Sequence, residues 1–361
     1  MATAQRYTIP VGTDDWTVGQ DFTTNFRWEY DDGRENLLKL YKKGKAKQWD
    51  ADERIDWSQD LDPENPQQMP DDAIPIHDSD VFRRMTAKEK TRLRHHFQTW
   101  QLSQFLHGEQ GALVCTAKIV QQVPSMDAKF YASTQVIDEA RHVEAYSRLL
   151  HDKFEMAYPI TPTLKRLLDD ILHDSRWDMT YLGMQVLIEG LALAAFATIR
   201  DQSKNPLSQS VNAYVMQDEA RHVAFGRFAL RDYYPQLTDA ERDEREEFAV
   251  EACYLLRDRF QAEEVWEHLG LPVDECAAHM LESGFMQYYR SMLFSRIVPT
   301  IKDIGLWGPR IQKAYADMGI LGYADNDVAA MSEADERVAE DLEARRAEVE
   351  RVAAGARTDA A

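Results

Sequence analysis

The hexapeptide DEARHV occurs at 138–143 and again, letter for letter, at 218–223. Each copy contains a Glu-x-x-His motif, once as Glu139 and His142 and once as Glu219 and His222. On a helix this spacing places a carboxylate and an imidazole on one face about one turn apart, where both can bind one metal ion. The repeat therefore predicts two matched halves of a metal site.

A lone glutamate precedes each Glu-x-x-His motif by 30 residues, at Glu109 and at Glu189. The midpoints of these intervals fall on turn signals, Pro124 in the first copy and Lys204 of SKNPL in the second. Antiparallel helices joined at these turns would bring the paired glutamates level, because each lies about 15 residues from its turn at about 1.5 Å per residue. The sequence therefore predicts two helical hairpins.

The surroundings of Glu189 indicate what the glutamates do. Every residue within one turn of Glu189 in VLIEGLALAAF is apolar or glycine, and a lone buried carboxylate costs several kcal/mol unless it is paired or coordinated. Four carboxylates match the charge of two divalent cations. Oxygen and nitrogen donors without sulfur favour iron or manganese over structural zinc. The predicted ligands of two iron ions, with a manganese-iron pair as the alternative, are Glu109, Glu139, His142, Glu189, Glu219 and His222.

A single Glu-x-x-His motif is most often a surface pair, but here two copies share their spacing, flanks, upstream glutamate and turns. Asp138 and Asp218 precede the motif glutamates, and we expect each to accept the ring N–H of a histidine from the other hairpin. Arg141 and Arg221 could pair with these aspartates. The alternative is that the Asp and Arg residues form ordinary solvated pairs.

The elements that must position these residues are helical. From about Ala87 to Tyr234 apolar residues recur at three- and four-residue spacing, and Thr86-Ala-Lys-Glu89 is typical of a capping box that begins a helix. The segment 151–178 is too long for a tight turn and suits a crossover with a short helix after Pro162. Two hairpins and one long crossover predict an all-α, ferritin-like four-helix bundle with additional helices.

Four segments follow from this interpretation. They are an N-terminal extension wrapping the bundle (1–78), the ferritin-like di-iron bundle (79–236), additional C-terminal helices of the same domain (237–325) and an acidic polar tail (326–361). The tail is rich in Ala, Glu and Arg with few large apolar residues, which is typical of a solvated helix that frays.

Charge and composition exclude several classes of partner. A formal net charge of −20 disfavours nucleic acid and anionic membranes. The longest apolar stretch, LIEGLALAAFATI, is shorter than the roughly 20 residues of a membrane-spanning helix and indicates a buried helix. Three widely spaced cysteines and the lack of a secretion signal at the start of the sequence predict a cytoplasmic location. A homodimer is expected as the commonest soluble assembly.

The segments GEQGALVCTAKIV, IEGLALAAF and both DEARH copies resemble the superfamily of ferritin-like di-iron oxygenases and ribonucleotide reductase small subunits. LYKKGKAKQWDADERIDWSQD is similar to the segment before the bundle in reductase-like oxidases. The resemblance covers about residues 24 to 235. It implies a dinuclear iron centre that activates dioxygen and oxidises an organic substrate, an amino group or a protein side chain.

The match to individual subfamilies is incomplete. Tyr146 lies four residues after His142, where the reductase small subunit carries its radical tyrosine. Glu109 replaces that family's usual Asp, however, and the C-terminus lacks an aromatic residue, so we expect Tyr146 to be a packed neighbour of the site. Val215 stands where arylamine N-oxygenases usually have a third histidine, and Leu193 stands where hydrocarbon monooxygenases keep a threonine.

The function expected is that of an O2-dependent monooxygenase or oxidase acting on a small, largely apolar or aromatic molecule. Electrons would come from an external reductase or ferredoxin, because the sequence has no GxGxxG nucleotide loop. Small or apolar residues on the ligand faces suggest a substrate pocket at Thr116, Ala192, Phe196 and Gly226. The alternatives are a radical-generating or self-oxidising reductase-like protein, an iron-storing ferroxidase and a metal-free helical scaffold.

Overall fold

A computed structural model describes residues 16–28, 30 and 33–358. Within these residues all regular structure is helical, as predicted. The α-helices are α1 (Glu35–Ala46), α2 (Ala51–Arg54), α3 (Asp80–Arg84), α4 (Ala87–Gln122), α5 (Met126–Arg148), α6 (Pro162–His173), α7 (Trp177–Tyr181), α8 (Glu189–Gln202), α9 (Pro206–Tyr233), α10 (Asp239–Asp258), α11 (Glu263–Leu269), α12 (Val273–Glu282), α13 (Gly284–Leu293), α14 (Ile297–Asp303), α15 (Pro309–Asp317), α16 (Val328–Glu336) and α17 (Val338–Thr358). Wider π-helical turns span Leu149–Phe154 and Leu182–Ile188, and 3₁₀ turns span Asp71–Ala73, Tyr234–Gln236, Arg259–Gln261 and Leu321–Asp325.

Two hairpins form the core of the bundle. Helix α4 packs along α5, and α8 packs along α9, with connections of three residues at 123–125 and 203–205. Both connections lie where the turn signals were found, so the prediction of two hairpins is confirmed. Thr86 begins α4 with the predicted capping box, in which its hydroxyl accepts from the Glu89 N–H and the Glu89 carboxylate accepts from the Thr86 N–H.

The crossover between the hairpins also matches the prediction. It continues α5 through the π-helical turns and then forms α6, which begins after the capping hydroxyl of Thr161. The buried Lys118 ammonium of α4 donates to the carbonyls of Leu172 and Asp174 at 2.8 and 2.6 Å. A cation at these carbonyls satisfies the end of α6 and is favoured by the helix dipole. The crossover is therefore fixed to the first hairpin.

The N-terminal segment lies across the bundle. Helix α1 packs against both α5 and α9, one helix from each hairpin. Gly44 permits the close approach, because a Cβ at this position would lie 3.0 Å from the Thr134 hydroxyl oxygen. The chain that leaves α1 consequently reaches the middle of the bundle, near the repeated DEARHV segments.

The expectation of a solvated C-terminal tail is wrong for its described part. Helices α16 and α17 pack against α9, and Ala339 is 2% exposed. Glu336 and Glu340 form ion pairs with Lys43 and Lys47 of α1. The buried Ala339 lies in α17, and the acidic residues of both helices pair with lysines that are remote in sequence.

One helical run, Trp177–Gln202, is long and apolar enough to cross a membrane by length and composition. Within its most apolar window, however, 83% of the residues are buried inside the protein. This run contains π-helical turns and α8, which contact α9 and α14. It behaves as the predicted buried helix of the bundle.

Candidate metal centre

The structure brings all six predicted ligands together in the interior. Each of the six residues is at most 5% exposed. They form two overlapping sets, within each of which one ligand atom per residue lies within 4.8 Å of the others. The first set is Glu109, Glu139, His142 and Glu219, and the second set is Glu139, Glu189 and His222. The two sets share Glu139 and therefore lie next to one another.

Both imidazoles present the same nitrogen to the glutamates. His142 Nδ1 lies 3.2 Å from Glu109 Oε2 and 3.1 Å from Glu219 Oε1. His222 Nδ1 lies 3.1 Å from Glu139 Oε1. The two ring centroids are 5.8 Å apart. Each histidine is therefore positioned to serve one of two neighbouring ions through Nδ1.

The opposite ring nitrogens face aspartates from the other hairpin. His142 Nε2 lies 3.2 Å from Asp218 Oδ2, and His222 Nε2 lies 3.3 Å from Asp138 Oδ2. When the Nε2 proton is donated to an aspartate, Nδ1 keeps its lone pair available for a metal ion. The aspartates thus favour the tautomer that the glutamate side of the site requires.

Two arginines bind the aspartates that face the histidines. Arg141 Nη2 donates to Asp138 Oδ1 at 2.6 Å and to Asp218 Oδ2 at 2.8 Å, while Arg221 donates to Asp218 Oδ1. Both arginines are buried, Arg141 at 7% exposure and Arg221 at 0%. These Asp–Arg pairs are therefore part of the interior network and are not solvated surface pairs.

Sequence reasoning missed three polar residues at the site. Trp49 Nε1 donates to Asp218 Oδ2 at 2.7 Å, and Gln48 Nε2 donates to Asp138 Oδ1 at 2.7 Å. Both come from the chain after α1, and no local pattern relates them to the repeat. Gln135 donates to Glu139 Oε1 at 2.9 Å and to Glu189 Oε1 at 3.0 Å. Its position one turn before Glu139 was a signal that could have found it.

In the absence of metal the cluster shares protons between its carboxylates and imidazoles. Burial, reinforced by the charge of Glu219, raises the pKa of Glu109 to about 8, and burial raises the pKa of Glu189 well above its usual range. Burial disfavours the charged form of both histidines, but the surrounding carboxylates outweigh it and hold the pKa of His142 and His222 well above the ordinary value. Metal ions that bind here must therefore displace protons.

Several atoms of the cluster that could bind a metal ion have no hydrogen-bond partner within the described residues. They are Glu139 Oε2, Glu189 Oε2, both carboxylate oxygens of Glu219 and His222 Nδ1. Buried polar atoms without a partner each cost on the order of 1–3 kcal/mol, and native proteins contain few of them. Their concentration in one cluster of hard oxygen and imidazole donors fits a pair of iron or manganese ions.

Tyr146 packs beside the cluster. Its hydroxyl donates to Asn212 Oδ1 at 3.1 Å, and its ring lies near those of Phe105 and Phe196 at centroid distances of 5.8 and 6.0 Å. Burial next to the Glu109 charge raises the pKa of the phenol well above its usual range. The structure places Tyr146 as a buried, hydrogen-bonded wall of the site.

A cavity that is partly open to solvent borders the carboxylates of Glu109, Glu189 and Glu219. Ala192 and Phe196, two of the residues predicted to form a substrate pocket, line this cavity. The apolar part of the wall also includes Phe105, Ala112, Ile188 and Leu191.

The other two predicted pocket residues lie elsewhere. Among the described residues, Thr116 and Gly226 do not line the cavity beside the carboxylates. Gly226 faces the π-helical turns of the second hairpin, and a Cβ there would lie 2.6 Å from Gln185 Cβ. Its small size therefore serves close helix packing. Thr116 is fully buried within the protein interior.

A helical bundle of this kind, with two Glu-x-x-His motifs and two further glutamates around one buried cluster, defines a ferritin-like di-iron oxygenase or oxidase. The family model described as P-aminobenzoate N-oxygenase AurF matches residues 31–305, most of the chain. The chain belongs to the AurF family. The expected superfamily, the di-iron cofactor and O2-dependent oxidoreductase activity are thereby confirmed.

Two solved structures are similar to this chain. A protein with aldehyde deformylating oxidase activity from Synechococcus is 16% identical with a TM-score of 0.45, covering 61% of this chain and 95% of that chain. An R2-like ligand-binding oxidase variant with an anaerobically reconstituted Mn/Fe cofactor is 20% identical with a TM-score of 0.46, covering 77% of this chain and 96% of that chain. No match was found among curated proteins.

The family match bears on Val215. This residue occupies the position one turn before Glu219 where a third histidine was expected for an arylamine N-oxygenase. The chain belongs to the N-oxygenase family without it. At the equivalent position of the first hairpin, 80 residues earlier, Gln135 contacts two of the glutamates.

Proposed function

We propose that the protein uses dioxygen to oxidise the amino group of a small, largely apolar or aromatic molecule at a dinuclear iron centre. The observation that carries the proposal is the convergence of four glutamates and two histidine Nδ1 atoms in two overlapping, buried sets. The description of the AurF family as N-oxygenases supports nitrogen as the atom that is oxidised. The proposed ligands are Glu109, Glu139, His142, Glu189, Glu219 and His222.

When bound, the iron pair would supply the redox chemistry that activates dioxygen. The charge of the four glutamates would balance that of two divalent cations. Asp138 and Asp218 hold the two imidazoles with Nδ1 directed at the site, and Arg141 and Arg221 form ion pairs with these aspartates. Phe105 and Phe196 would form an apolar wall beside the substrate amine.

The reaction requires an electron donor. Conversion of an amine to a hydroxylamine consumes one dioxygen, two electrons and two protons, and it releases one water. We propose that an external ferredoxin or reductase supplies these electrons in a cytoplasmic setting. A manganese-iron pair is the alternative cofactor, and a homodimer is the proposed assembly.

Metal content tests the ligand assignment. Protein loaded with ferrous iron should contain two irons per chain by mass spectrometry, and His222→Ala should lower this number to one or fewer. His173→Ala is the matched control, because His173 is exposed on α6 outside the cluster. Fewer than one iron per chain in the unmodified protein, or equal loss of iron in the control, would contradict the assignment.

A single-turnover experiment tests the reaction itself. The iron-loaded protein is reduced chemically, freed of excess reductant, mixed with an arylamine such as 4-aminobenzoate and exposed to dioxygen labelled with oxygen-18. Labelled hydroxylamine is the expected first product. Oxidation at ring carbon, or consumption of dioxygen without any oxidised amine across a panel of arylamines, would refute nitrogen oxidation.

A further inference from the structure

A second cavity lies next to the one that borders the carboxylates. Its wall consists largely of aromatic and thioether side chains, and among the described residues that line it none is charged. Six of these residues are Met69, Phe97, Trp100, Met280, Phe285 and Met286. Methionine is flexible and adapts to irregular shapes, so this cavity, which we call the methionine cavity, suits small apolar or aromatic molecules.

The two cavities follow one another along the same two helices. On α4, Gln101 lines the methionine cavity, and Gln104, three residues later, lines the cavity beside the carboxylates. On α8, Thr198 lines the methionine cavity, and Phe196, two residues earlier, lines the cavity beside the carboxylates. The methionine cavity therefore extends the first cavity between α4 and α8, in the direction away from the metal ligands.

A third element borders both cavities where they meet. In the 3₁₀ turn Arg259–Gln261 after α10, Arg259 lines the cavity beside the carboxylates and Phe260 lines the methionine cavity. The Phe260 ring packs edge to face on Tyr289 of α13, with the ring centroids 6.4 Å apart. Burial lowers the pKa of Arg259 to about 10 and Tyr289 acts in the opposite direction, so these side chains of different cavities lie close together. Phe260 and Tyr289 thus lie at the junction.

The backbone that carries Phe260 is irregular. Phe260 has non-helical dihedral angles, with φ −91° and ψ 18°, and Ala262 lies in the left-handed region at φ 51°. An alanine in that region costs about 1 kcal/mol or more. Trp266 Nε1 fixes one end of the turn by donating to the Gln261 carbonyl at 2.6 Å. Because the turn joins α10 to α11, a shift of Phe260 displaces none of the helices that carry the predicted metal ligands.

We propose that the methionine cavity is the entrance through which the substrate reaches the metal centre, and that Phe260 and Tyr289 form the gate between the two cavities. The uncharged wall favours passage of a molecule with an apolar or aromatic body, and the closed gate retains that molecule beside the carboxylates. Direct entry from solvent into the cavity beside the carboxylates is the competing route. The inference rests on the proposed function, because it takes that cavity as the place of oxidation.

A removable plug tests the entrance in protein that is already folded and loaded with iron. Thr198→Cys places a thiol on the wall of the methionine cavity. Benzyl methanethiosulfonate attaches a benzyl group to this thiol through a disulfide, which a brief treatment with a small thiol removes. Cys115, Cys253 and Cys276 are buried, so the unmodified protein should stay unlabelled by mass spectrometry.

Stopped-flow fluorescence then measures binding of 4-aminobenzoate and of aniline to the oxidised protein. The plug should slow association and dissociation together by about tenfold or more and change Kd by less than about threefold, because an obstructed path alters the rates and not the affinity of the site beyond it. Removal of the benzyl group should restore both rates.

Ser332→Cys is the matched control. Ser332 is also a half-buried hydroxyl residue on a cavity wall, but its cavity lies between α9, α14 and α16, so labelling there should leave the rates unchanged. Unchanged rates in plugged Thr198→Cys, or equal slowing in the control, would overturn the proposal. So would a plug that raises Kd more than about tenfold without slowing association, or a failure of the unmodified protein to bind either amine.

Phe260→Ala tests the gate separately. Loss of the ring should raise the association and dissociation rates by about threefold or more, whereas Phe228→Ala, which removes a half-buried ring of α9 outside both cavities, should leave them unchanged. Unchanged or slower binding in Phe260→Ala would refute the gate. Thermal unfolding and iron content of each variant show whether it is folded and loaded.

The two proposals fail in different ways. Binding that the plug slows, without oxidation of the amine, would refute only the proposed reaction. Oxidation of the amine with binding rates that the plug does not affect would refute only the entrance.

Discussion

Replacing Glu109 with glutamine should stabilise the metal-free protein and at the same time prevent complete metal binding. Glu109 is 5% exposed, and burial beside Glu219 raises its pKa from an ordinary 4.5 to about 8. A carboxyl group whose pKa is higher in the folded state stabilises the fold fully below pH 4.5. This stabilisation is lost as the pH rises through about 8.

The size of the effect follows from the same two values. The pKa difference, from 4.5 to about 8, is about 3.5 pH units, each corresponding to about 1.4 kcal/mol. The metal-free protein should therefore lose about 4–5 kcal/mol of unfolding free energy between pH 4.5 and pH 8 through this one group. Glu109→Gln cannot ionise, so its advantage over the unmodified protein should grow from near zero to this amount across that range.

Urea unfolding of the two metal-free proteins, followed by circular dichroism from pH 5 to pH 8, measures the difference. Glu53→Gln is the control, because Glu53 is exposed on α2, and it should follow the unmodified protein. After iron loading the order should reverse, since the variant lacks one ligand. A stability difference that does not change with pH, or greater stability of the unmodified metal-free protein at pH 8, would refute the reasoning.

Three further substitutions test other parts of the structure. Asp218→Asn should lower metal affinity by about 10- to 100-fold in a competition with a coloured chelator, and unchanged affinity would contradict a role in orienting the imidazole. Tyr146→Phe removes the hydrogen bond to Asn212 and should lower the free energy of unfolding by about 1 kcal/mol in chemical denaturation. Neither the unmodified protein nor the variant should show a tyrosyl radical signal in electron paramagnetic resonance. A tyrosyl signal that disappears in Tyr146→Phe would indicate a radical carrier. Gly226→Ala should cost about 1–3 kcal/mol of stability, because its Cβ would lie 2.6 Å from Gln185 Cβ, and unaltered thermal stability would contradict the packing account.

The cluster could be predicted from sequence because its information is local and repeated. Each Glu-x-x-His motif fixes two side chains on one helix face, and the common offset of 80 residues relates the two hairpins without knowledge of their packing. The turns at Pro124 and Lys204 then determine which glutamates meet. Helix periodicity and chain length were therefore sufficient for the bundle, its crossover and the convergence of the six side chains.

The surroundings of the cluster could not be predicted in this way. Trp49 reaches Asp218 only because α1 docks across both hairpins, and no spacing in the sequence records that contact. The C-terminal helices are polar in composition, yet Glu336 and Glu340 find lysines about 290 residues away in sequence. Arg259 enters the cavity from a turn outside the bundle. Each of these contacts joins segments that are distant in the sequence. Because these segments show little hydrophobic periodicity, the sequence does not predict how they pack.

Diffraction from crystals of the iron-loaded protein, recorded on both sides of the iron absorption edge, tests the central claim most directly. We predict two anomalous peaks per chain among the six side chains, one bound to His142 Nδ1 and the other to His222 Nδ1, with both Nε2 atoms still facing Asp218 and Asp138. A single peak, no peak in the bundle interior, or either histidine turned away from the glutamates would contradict the account.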